Sequence, residues 1–159
     1  MDDVRYGEIR GYLRAYEALN AKIDCVIRFS FTRFSARPDL ESAVAAFMKC
    51  EGKIAQPGLV RSGNRLREDI VRYAHPWLMN YRLPDRSIPH AATKAKLGWG
   101  EDLDDLLELL QAYFAPDEPE VWEFNREAAW TGLSPYDLWD ALVLRAGDTA
   151  HLFYFGWTD

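Results

Sequence analysis

Asp24-Cys25-Val26-Ile27-Arg28-Phe29-Ser30-Phe31-Thr32-Arg33-Phe34 is the stretch whose reading decides the fold class. Cys25, Ile27, Phe29 and Phe31 alternate with Arg28, Ser30 and Thr32, the period of two that a half-buried strand requires. On the N-terminal side the period changes. Ile9, Tyr12, Leu13, Tyr16, Leu19 and Ile23 recur at helical spacing, which predicts an amphipathic helix over about residues 6–21. On the C-terminal side Pro38 and Asp39 open a second helix through Leu40, Val44, Phe47 and Met48, and Gly52 is placed to stop it.

Residues 54–64 carry Pro57, Gly58 and Gly63 and read as a loop. Leu66, Ile70, Tyr73, Ala74 and Trp77 then share a helix face, which Pro76 is expected to kink or end because it lacks an N–H. Residues 82–100 have Pro84, Pro89, Gly98 and Gly100 without periodicity, a long loop of the kind that often carries function. The next helix is the clearest. Glu101, Asp102, Asp104 and Asp105 crowd its positive end, Leu103, Leu106, Leu107, Leu110, Tyr113 and Phe114 form its stripe, and Pro116 marks its exit.

Val121-Trp122-Glu123-Phe124 fits either a short strand or the start of a helix reaching Trp130. Ser134-Pro135-Tyr136-Asp137 has the form of a helix start, and Leu138, Leu142 and Arg145 carry a fifth helix to Gly147. The chain closes on an aromatic strand at 149–157. The expectation is a single α+β domain over residues 1–159, helix-dominated, with about five helices on a small sheet of strands near 24–34, 149–157 and, in one reading, 120–125.

Composition narrows the function classes. At 159 residues and 48% hydrophobic, the chain has the length and apolar content of one folded domain. No run of apolar residues is long enough for a membrane span, and Met1-Asp2-Asp3-Val4-Arg5 is not followed by a secretory leader, so a soluble cytoplasmic protein is expected. Cys25 and Cys50 are expected to be buried reduced thiols. His75, His90 and His151 lie at none of the familiar metal spacings, and no nucleotide-binding or hydrolase motif occurs, so no metal or cofactor is called for.

Charge is lopsided. Residues 1–80 hold 13 Lys and Arg against 10 Asp and Glu, whereas residues 81–159 hold 6 against 15. Residues 101–127 alone have ten carboxylates and one base, Arg126. Such a face repels nucleic acid and attracts a basic protein. The first functional reading is therefore a binding module that masks a basic partner, with the size and charge of the immunity proteins that neutralise nuclease toxins. Its contact residues would be Asp102, Asp104, Asp105, Glu108 and Glu123, with Trp99 and Trp122 as aromatic anchors. The second reading is an enzyme or binding protein for a small phosphate- or carboxylate-bearing ligand. Ser62, Asn64, Arg65 and Arg67 around a helix start would hold the anion, with His90 from the long loop. Arg28, Arg61, Arg65 and Arg67 would be the patch for nucleic acid, the third and weakest class.

Overall fold

The computed structural model describes residues 2–20, 26–50, 58–63, 65–79, 101–125 and 138–158. The described elements run α1 (Asp3–Asn20), β1 (Val26–Ser35), α2 (Leu40–Cys50), β2 (Leu59–Arg61), α3 (Leu66–Met79), α4 (Glu101–Phe114), β3 (Glu120–Phe124), β4 (Leu138–Ala146) and β5 (Thr149–Thr158). The five strands form one antiparallel sheet in the order β1-β5-β4-β3-β2. The alternating stretch is β1 from Val26, and it pairs directly with the aromatic C-terminal strand from Val26↔Thr158 to Ser35↔Thr149.

Alternation along the strands sends side chains to two cores. Phe29 and Phe31 of β1, Leu142 and Leu144 of β4, and Phe153 and Phe155 of β5 pack under α1, α3 and α4. Ala141, Val143, Ala150, Leu152 and Tyr154 face the other way and pack with α2 through Leu40, Val44 and Met48. The sheet is thus the middle of three layers, with α4 lying between α1 and α3 on one face.

Local chemistry sets the helix starts. Asp2 accepts the Val4 N–H at 2.9 Å, Asp39 accepts the Ser42 N–H at 2.9 Å, and Glu68 accepts the Arg65 N–H at 3.4 Å. The Ser42 N–H holds the Asp39 carboxyl below its ordinary range.

Several expectations are corrected. The described residues hold four helices around a five-stranded sheet, so the domain is mixed α+β rather than helix-dominated over a small sheet. The fifth helix expected over 134–147 is strand β4 from Leu138. Leu142 and Leu144 feed one core and Ala141 and Val143 the other. A central strand buried on both faces reads as a continuous apolar run, which periodicity alone does not separate from a helix. Gly147, at φ +60°, is the first residue of a two-residue hairpin turn with Asp148, and Ala146 pairs with Thr149 across it. Part of the 54–64 loop is the short edge strand β2. Helix α3 continues to Met79 past Pro76, its last turn tied to the sheet by Trp77. The indole N–H of Trp77 donates to Asp140 at 2.8 Å, and its ring stacks on Phe155. Cys50, expected to be buried, is exposed at the end of α2, and Cys25 lies outside the described residues.

Candidate functional site

Helix α4 is amphipathic in the way its sequence predicts. Leu103, Leu106, Leu107, Leu110, Tyr113 and Phe114 are buried, which turns Asp104, Asp105 and Glu108 to solvent. Asp104 lies 2.7 Å from the Arg67 guanidinium on α3. Asp105 and Glu108 make no ion pair among the described residues, nor do Asp117 and Glu118, exposed in the turn that leaves the helix. Asp102 stands in the first turn of α4. Trp99, Asn64 and His90 lie outside the described residues.

The remaining partner-binding candidates divide between the two faces of the sheet. Glu123 sits on the α4 face but is held from inside the molecule: Arg72 pairs with it, and the Tyr73 hydroxyl donates to it at 2.9 Å. Burial alone would raise its carboxyl; hydrogen bonds from Tyr73, Arg72 and Ser62 overcome that and hold it below the ordinary range. Arg72 also reaches the fully buried Asp69 at 3.2 Å. Trp122 is on the opposite face, half-buried beside the α2 core, so it does not share a surface with Asp105 and Glu108.

The anion-site candidates are largely committed. The Ser62 N–H bonds the Val121 carbonyl at 2.8 Å and its hydroxyl bonds Glu123. Arg67 is taken by Asp104, and Arg65 is exposed without an ion pair among the described residues. The four-arginine patch is broken up, because Arg28 on β1 and Arg61 on β2 sit at opposite edges of the sheet. Arg61 pairs instead with Glu120, which also reaches Arg145 across the neighbouring strand.

No protein-family model matches the chain, no curated protein matches its sequence, and no solved structure matches its fold.

Two groups of residues escaped the sequence reading. One is a polar chain that runs from the surface into the α1–α4 core. Asp3 pairs with Arg33 at 2.9 Å, Arg33 bonds the Tyr113 hydroxyl, and Tyr113 meets His151 Nε2 at 2.8 Å. His151 Nδ1 faces the Leu144 carbonyl at 3.4 Å, so the ring carries its proton on Nδ1 and accepts from Tyr113 at Nε2. The imidazole is fully buried and stacks on Phe31 with centroids 4.9 Å apart, which makes it a core group out of reach of any substrate. The other is a cleft lined by Arg10, Arg14 and Arg28 between α1 and β1. Its one sequence signal is the spacing of Arg10 and Arg14, a single helical turn apart. Among the described residues no group of three or more His, Cys, Asp or Glu could hold a metal ion.

Proposed function

We propose that this chain is a protein-binding module that docks a basic partner along α4 and the turn that follows it. One observation carries the reading. Asp105, Glu108, Asp117 and Glu118 are exposed without ion pairs among the described residues, in a chain of net charge −6. Unpaired like charges repel one another, and a basic surface relieves that repulsion while accelerating encounter. Asp104, paired with Arg67, lies toward the start of the same helix. An antagonist that masks the basic surface of a toxin, acting in the cytoplasm, is the biological form that this size and charge favour. Trp122 falls outside this surface, and Glu123 is held by Arg72 and Tyr73 rather than offered as a free charge.

The reading is tested by the association rate with a basic protein that the chain retains. The rate is expected to fall steeply as ionic strength rises from about 0.05 to 0.5 M, where the screening length shortens from above 10 Å to a few Å. A rate indifferent to salt contradicts it. The second reading, a small anionic ligand at the start of α3, has less to stand on, because Ser62 and Arg67 already serve carboxylates of the chain itself.

A further inference from the structure

We propose that the corner where the first turn of α1 meets the last turn of α4 is an acid-released latch: proton uptake by His151 opens the corner while the sheet stays folded. Both turns lie over the imidazole. The rings of Tyr6, Tyr113 and Phe114 have their centroids 6.4, 5.3 and 5.2 Å from it. The Arg5 guanidinium ties the two turns together by donating to the Ala112 carbonyl.

The hydrogen bonds of this corner run one way. Arg33 donates to Asp3 of α1 at 2.9 Å and to the Tyr113 hydroxyl, and Tyr113 donates to His151 Nε2 at 2.8 Å. A proton on Nε2 reverses the last link. The Tyr113 oxygen would then face two cationic donors, and its own hydrogen would lose its acceptor inside the core. Nothing at the corner offsets the new charge. The titratable and charged groups around the ring are Asp3 and Tyr6 from α1, Arg33 from β1 and Tyr113 from α4, and the one carboxylate among them is already held by Arg33. From β4, Leu142 and Leu144 face the same core.

Burial, against the pull of the Leu144 carbonyl, and then the Arg33 charge lower the pKa of the covered ring to about 4 from the ordinary 6.5. A ring uncovered by opening returns towards 6.5, so acid favours the open corner. Between pH 7 and pH 5 the opening equilibrium should rise about twentyfold. The corner yields before the sheet because helix ends open locally at least cost, whereas His151 itself sits in β5, paired to β1 on one side and β4 on the other.

Hydrogen exchange with mass spectrometry on the full chain, corrected for the intrinsic pH dependence of exchange, tests the latch. At pH 5 the amides of residues 6–9 and 111–115 should be protected at least about tenfold less than those of β4, and about twentyfold less than at pH 7. His151→Gln should remove that pH response. Should this variant fail to fold, Arg33→Gln serves instead: it frees the Tyr113 oxygen to accept from the charged ring, so the response should shrink below about fivefold. A corner that exchanges only together with β4 overturns the proposal. So does protection that is equal at the two pH values, or a pH response that the folded variant leaves unchanged.

Discussion

His151 shows how much of this fold's chemistry is decided by single buried side chains. Burial lowers its pKa from the ordinary 6.5 to about 4, against the pull of the Leu144 carbonyl. An unfolded chain therefore takes up a proton between these values that the folded chain refuses, so stability falls as pH drops from 6.5 towards 4. Denaturant titrations at pH 7 and pH 5 should differ by about 2 kcal/mol from this residue, and His151→Gln should flatten most of that difference. Equal stability at the two pH values in the parent chain would contradict the buried neutral imidazole. Arg72 is the second residue with a defined cost. It is half exposed but holds both the buried Asp69 and Glu123, so Arg72→Ala should lower the unfolding free energy by about 2 kcal/mol in the same assay. Neither role was legible in the sequence. A lone histidine in an aromatic strand and an arginine on a helix become special only when Tyr113, Asp69 and Glu123 arrive from distant elements.

At the scale of elements, the residues that announced themselves were those with one wet face and one dry one. Helices α1, α2 and α4 and strand β1 have that asymmetry, and their periods of 3.6 or two could be read directly, whereas β5, buried on both faces, was marked by its run of aromatic residues. Strand β4 could not, because both of its faces are dry and no polar residue marks the period across Ala141-Leu142-Val143-Leu144. The signal that would have found it was Gly147-Asp148 between two apolar runs, a hairpin turn that was read as a helix end. Strand β5 holds a second glycine with a packing role. A Cβ added at Gly156 would lie 2.8 Å from the Tyr154 Cε1 and Cζ atoms, and Tyr154 is itself buried. Gly156→Ala should therefore cost roughly 1–3 kcal/mol by thermal or chemical unfolding, as overpacking does in other cores. A neutral result would mean that the tyrosine ring has room to move that the packing does not reveal.

For the molecule as a whole, the three layers divide its charge. Helices α1, α3 and α4 cover one face of the sheet, with the α1–β1 cleft cationic at one edge and the exposed carboxylates of α4 on the outer surface. Charge asymmetry was legible in the sequence, since it needs only counting. Which charges remain available was not, because Asp104, Glu123 and Arg67 are consumed by partners that only the folded chain supplies. No helix among the described residues is long and apolar enough to cross a membrane. The most direct test of the account compares what the parent chain and an Asp105→Lys, Glu108→Lys variant retain from the native host's lysate, at low and at high salt. The account predicts one stoichiometric basic protein on the parent chain at low salt, displaced by high salt and lost from the variant. Retention by the variant equal to that of the parent, or no basic protein on either, would contradict it.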